Sequence, residues 1–215
     1  MLHRLQGMTT AGCSVLAGWW LKQLSRITLP ARQVFALLVL ALSSLMFASP
    51  ALAQFTQQGP KLVGTGSVGA VLQGSSVAVS GDGNTAIVGG VGNNGGSGVA
   101  WIYTRSAAGW SQQGSRLEGT GAVVGTTPYS LPASVAISSD GNTAIVGWSD
   151  DNGLAGAAWI YTRRTGVWSQ QGNKLVGTGS VGAAGQGWGV SLSADGNTAI
   201  VGGSTDNDWT GAAWV

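Results

Sequence analysis

The chain holds a single cysteine, Cys13, and a single histidine, His3, so residues 14–215 have neither. That absence excludes an internal disulfide in this later part and a zinc site of the Cys/His kind. It also excludes catalysis by Ser-His-Asp or Cys-His arrangements. Charge is scarce as well, at 8% of 215 residues. The formal net charge of +2 arises at the front, where Arg4, Lys22, Arg26 and Arg32 occur without any acid. From Gln54 onward, 6 basic residues face 8 acidic ones. Without clustered Lys and Arg, this part offers no general nucleic-acid surface. Helical periodicity is missing there too, because the apolar residues come in short runs.

One longer apolar run does occur, from Val34 to Ala48, with basic residues ahead of it and Ala51-Leu52-Ala53 behind it. Basic, apolar and small-x-small segments in that order are the pattern of a secretory signal peptide. The run is shorter than the ~20 residues a spanning helix needs. Residues 1–53 therefore read as a signal peptide with a long leading region, and Gln54 as the first mature residue. Either the true start lies downstream, at Met8, or the leader is extended. The expected location is secreted, periplasmic or cell-surface, with membrane attachment only if the segment stays uncleaved.

Glycine is plentiful, at 37 residues, and it comes with a repeat. Asp82-Gly83-Asn84-Thr85-Ala86-Ile87-Val88-Gly89 returns at Asp140–Gly147 and at Asp195–Gly202. A second phrase, Phe55-Thr56-Gln57-Gln58-Gly59, returns as Trp110–Gly114 and Trp168–Gly172, at spacings of 55 and 58 residues. The three extra residues fall near Thr127-Pro128, where a loop absorbs them at little cost. Each unit predicts four short strands. Val77–Ser80 and Thr85–Val88 are joined by an Asp-Gly hairpin turn. Val99–Arg105 follows, and a fourth strand begins at Trp110. The units run at about 74–121, 132–179 and 187–215, with residues 55–66 as a lone fourth strand.

Tandem four-stranded units predict an all-β fold, a β-propeller. Gly74-Ser75-Ser76-Val77, the Asp-Gly turn, Ala86-Ile87-Val88-Gly89-Gly90 and Gly98-Val99-Ala100-Trp101-Ile102-Tyr103 together resemble the FG-GAP repeat. That family forms the propeller of integrin α subunits and of many secreted bacterial proteins. The resemblance spans residues 55–215 and implies FG-GAP-like blades. Calcium-binding blades of the family carry a loop resembling Asp-x-Asp-x-Asp-Gly. Here each turn has one carboxylate, Asp82, Asp140 or Asp195, against the 6–8 oxygens Ca²⁺ typically takes. No cofactor is expected; calcium is the one alternative left open, and the usual FG-GAP calcium loop is missing. Three blades fall short of the roughly 4–8 in closed propellers, so an incomplete propeller is expected. It is either a piece of a longer repeat protein or a chain that associates as a homo-oligomer to complete a ring.

Trp101, Trp159 and Trp214 share one repeat position, and Trp110 and Trp168 another. Burying each removes on the order of 150–250 Å² from water, so these are expected in the core. Trp148, Trp188 and Trp209 each occur in one unit only, beside a loop, and are candidate ligand contacts. The loops after the second strand also differ: Val91–Gly95, Ser149–Gly153 and Ser204–Asp208. Asp150, Asp151, Asn152, Asp206, Asn207 and Asp208 are candidates there for ligand or weak ion contact, with solvated turns as the plain reading. Paired carboxylates also permit acid–base work in principle. Gly64–Gly69 and Gly177–Gly182 match G-x-G-x-x-G, but that fingerprint needs a following helix and a parallel sheet. The expected function is a non-catalytic binding or structural module with a protein or cell-surface partner. The alternatives are a carbohydrate-binding propeller and a fragment of a secreted propeller enzyme.

Overall fold

The Asp-Gly-Asn turn builds the first strand pair of every unit. In the computed structural model, which describes residue 30 and residues 55–67, 69–91, 96–124 and 133–215, β1 (Ser76–Val79) pairs antiparallel with β2 (Thr85–Val91). β6 (Ser134–Ile137) pairs with β7 (Thr143–Trp148), and β10 (Gly189–Leu192) with β11 (Ala199–Gly203). The register is conserved across units: Val77 faces Val88, Val135 faces Val146 and Val190 faces Val201. The turn itself explains this. Asp82 Oδ1 accepts from the Ser80 hydroxyl at 2.5 Å and the Asn84 N–H at 2.9 Å. Ser80 Oγ in turn accepts from the Thr85 N–H at 3.0 Å. The same bonds recur around Asp140 and Asp195. A short carboxylate that bonds its own backbone two residues on is the reason Asp suits this turn.

Third strands add antiparallel to the second: β3 (Gly98–Ser106), β8 (Ala157–Arg164) and β12 (Ala212–Trp214). In the first unit β4 (Gly109–Gln112) and the short β5 (Leu117–Glu118) both pair with β3. In the second, β9 (Val167–Leu175) does both jobs along β8, with a register shift between Ala158 and Ile160. The result is three antiparallel sheets, none closed. Between β11 and β12, Asp206–Trp209 forms a short turn whose Asn207 and Asp208 have left-handed backbone angles.

The expected lone fourth strand is corrected: residues 55–66 contain no strand. In the first two units the fourth strand pairs with the third strand of its own unit. The described residues offer no such partner to residues 55–66, and Leu62 instead packs on Val99, Trp101 and Tyr103. The expected signal peptide, residues 1–53, lies outside the described residues except for Pro30, as do residues 92–95 and the insertion at Thr127-Pro128. Among the described residues no helix is long and apolar enough to cross a membrane.

Within residues 57–215, which form one compact unit, the core sits between sheets. Ile87, Ala100 and Ile102 of the first sheet meet Val135, Ala144, Val146 and Trp159 of the second. Ile145 and Ala158, on the second sheet's other face, meet Val190, Ala199 and Val201 of the third. Alternation along β7 sends Ala144 and Val146 one way and Ile145 the other, as the two-residue period of a strand requires. Successive turns are also tied together. The Gly81 N–H donates to the Ser139 carbonyl, and the Ser139 N–H to that of Ala194, each at 2.8 Å.

Candidate functional site

The phrases that look most like motifs are scaffold. The Trp101 indole N–H donates to the Thr65 carbonyl, Trp159 to Thr120 and Trp214 to Thr178, each at 2.9 Å. A methyl group on Gly64, Gly119 or Gly177 would collide with that indole ring. The glycines of the Gly-Thr-Gly phrase thus serve close packing on tryptophan, and the G-x-G-x-x-G spacing follows from the repeat. The Asp-Gly-Asn turns are structural too. Hydrogen bonds from the Ser80 hydroxyl, then from Asn84, lower the Asp82 carboxyl to about 2. Asp140 and Asp195 are lowered for the same reasons, led by Ser138 and Ser193.

The β7–β8 and β11–β12 loops differ in residues but share one backbone path. Asn152, Gly153 and Leu154 have φ of 52°, 68° and 69°. Asn207, Asp208 and Trp209 follow with 48°, 53° and 70°. Three consecutive left-handed residues are costly for side chains other than glycine, and the preceding aspartate holds each run. Asp151 Oδ1 accepts from the Val123 N–H at 2.8 Å, while the Asn152 N–H donates to the Val123 carbonyl at 2.9 Å. Asp206 Oδ1 accepts from the Val181 N–H at 2.7 Å, while the Asn207 N–H donates to the Val181 carbonyl at 3.0 Å. Asp151 also pairs with Lys174 Nζ at 2.6 Å.

The candidate residues therefore divide. Trp148 is a core residue: its ring is fully buried and lies where a methyl group on Gly98 would be 2.8 Å from its Cγ. Its place beside a loop suggested exposure. The adjoining sheet covers it instead. Asp150, Asp151 and Asp206 are buried as well, and the last two point at backbone N–H groups. Asn152 and Asn207 are exposed on the left-handed runs. Trp188, Asp208 and Trp209 do come together. With Leu154, Val181 and Thr205 they line a cleft of about 370 Å³ beside the two loops. Trp188 is 56% and Trp209 79% exposed.

No protein-family model matches this chain, and a search of curated proteins finds no similar one. The FG-GAP resemblance thus rests on the repeat residues themselves.

Asp208 is the single ionisable side chain among the described residues lining the cleft. The pairs Asp150/Asp151 and Asp206/Asp208 do not present two carboxylates to it, since the first three are buried. Among the described residues no group of three or more His, Cys, Asp or Glu side chains is placed to hold a metal ion. Leu154 and Val181 were not singled out from the sequence. The repeat held the signal for Leu154, which occupies the loop position of Trp209.

Proposed function

We propose that this chain is an exported, non-catalytic binding module, an incomplete FG-GAP-like β-propeller whose contact surface includes the cleft at Trp188 and Trp209. The observation that carries the reading is the exposure of two large rings around one concave site. Exposed aromatic surface of this kind is a common mark of an interaction site. The left-handed run bearing Asp208 and Trp209 supports it, because strained backbone gathers at functional positions. A protein on a cell surface is the leading partner. A lone carboxylate suits orientation of a ligand better than paired acid–base chemistry.

A second reading, a lectin-like site, is favoured by the chemistry of the rim. Indole faces stack on sugar rings, and Asp208 and Thr205 offer groups that bond hydroxyls. Labelled chain is expected to bind intact cells of the source organism, and Trp188→Ala with Trp209→Ala to abolish that binding. Protease treatment of the cells removes a protein partner, whereas glycosidase treatment and a glycan array reveal a sugar. Undiminished binding by the double variant would remove the cleft from the function.

A further inference from the structure

Each junction between sheets in this chain has two halves, and one half of each kind is left uncovered. On the leading sheet of a junction stand an isoleucine and a strand glycine. Ile87 and Ile145 are 0% exposed, because the next sheet covers them, but Ile200 at the same position is 44% exposed. On the following sheet stands a valine of the first strand. Val135 is 6% exposed, whereas Val77 is 66% exposed.

The glycines show how the halves fit. A methyl group on Gly89 would lie 3.1 Å from Val135 Cγ1, and one on Gly147 would lie 2.6 Å from Val190 Cγ1. The valine of each following sheet thus sits on the glycine of the sheet before it. At Gly202 the corresponding space is open: among the described residues its own sheet's Gly189 carbonyl alone comes near, at 3.6 Å. The turn glycines show the reverse side. Gly141 lies against Thr85 and Gly196 against Thr143, but Gly83 meets neither a threonine nor a serine. Glycine inside a strand costs stability unless a neighbouring backbone needs the room. Gly202 therefore has the shape of a site whose occupant is the valine of another unit.

We infer that the open face of the third sheet, at Ile200 and Gly202, takes the open face of the first sheet, at Val77 and Val79, from a second copy of this chain. The contact repeats the two junctions already inside the chain, with Val77 of the copy on Gly202. The turn bonds continue in the same sense: the Ala194 N–H donates to the Gly81 carbonyl of the copy, as Gly81 does to Ser139 and Ser139 to Ala194. Leu62 stands at the repeat position of Leu117, which pairs with Ala100. In the assembly Leu62 of the copy therefore falls opposite Ala213. Such a head-to-tail contact closes into a ring, two-fold symmetric when two copies complete it, or runs on as a filament. Two copies supply six sheets, within the roughly 4–8 blades of closed propellers. This surface is distinct from the cleft and does not depend on what the cleft binds.

Sedimentation of the purified chain from about 1 to 100 µM, with Ile200→Asp and Val77→Asp, tests the inference. Wild type is expected to associate, and each variant alone to weaken association roughly tenfold or more, as loss of an interface centre does. An equimolar mixture of the two variants is expected to regain dimers. One variant keeps the Val77 face and the other keeps the Ile200 face. Pairing of like faces, Ile200 on Ile200 or Val77 on Val77, shows no such rescue. Circular dichroism checks that both variants fold. If either does not, oxidation of Val77→Cys/Gly202→Cys chains that also carry Cys13→Ser is expected to give a disulfide between copies. A monomeric wild type at about 100 µM, or a mixture that stays monomeric, overturns the inference, as does a cysteine pair that fails to cross-link.

Discussion

The second and third units place nearly the same strand residues in different surroundings. Thr143–Gly147 and Thr198–Gly202 are identical in sequence, and both pair with a preceding strand in the same register. Ile145 nevertheless lies in a closed core and Ile200 at an open face. The loops after these strands show the converse. They share a left-handed path, yet one carries Gly153 and Leu154 where the other carries Asp208 and Trp209. Local sequence thus sets the backbone of a unit, while the neighbouring sheet decides what each side chain does.

Substitution of the paired isoleucines is expected to separate the units most. Ile145→Ala should cost about 2–5 kcal/mol, the usual loss for a buried isoleucine. Ile200→Ala should cost well under half of that in the monomer. Urea denaturation of both variants at low concentration checks the difference, and equal losses would break the comparison.

The loop anchors come next. Asp151→Ala removes a buried carboxylate from both the Val123 N–H and Lys174. About 3 kcal/mol is expected, since breaking such a pair leaves an uncompensated charge. Lys174 is partly exposed, which holds the loss to the low end of the buried-pair range. Asp206→Ala gives up one charge-assisted bond and should cost about 1.5–3 kcal/mol. Thermal denaturation with calorimetry measures both.

A smaller contrast concerns the tyrosines. Tyr103 Oη accepts from Gln73 Nε2 at 2.7 Å. The Tyr161 hydroxyl is buried and finds no hydrogen-bond partner among the described residues, and burial raises its pKa. At the repeat position of Gln73 the second unit carries Leu131. Tyr161→Phe is therefore expected to be neutral or stabilising, and Tyr103→Phe to lose about 1 kcal/mol. Denaturation midpoints that rank the two the other way would refute the assignment.

The smallest expected effect is that of acid on the turns. The carboxyl of Asp82 is lowered in the folded chain from 3.8 to about 2. A depressed folded value means a stabilisation present above the unfolded pKa and lost as pH falls through the folded one. The melting temperature should therefore decline between about pH 4 and pH 2, and Asp82→Asn should flatten that decline. NMR titration of the Asp82 carboxyl reads the shift directly.

Much of this architecture was legible in the chain itself. The Asp-Gly-Asn turns, three strands of each unit and the core role of Trp101 and Trp159 follow from spacing, because hairpin chemistry and strand alternation act over a few residues. The part of the candidate site at Trp188, Asp208 and Trp209 was legible as a break in the repeat. Trp148 broke the repeat equally, and Asp151 and Asp206 looked as polar as Asp208. What separated them was contact across distance. Trp148 packs at Gly98, Asp151 reaches Val123 and Lys174, and Asp206 reaches Val181. Residues 55–66 repeat a strand phrase but find no partner strand among the described residues, and pairing needs two partners. The sequence by itself determined the turns, the registers and the three-fold count of units. Only the tertiary structure decided which identical side chains are buried, because burial belongs to the packed neighbour and is not written in the residue.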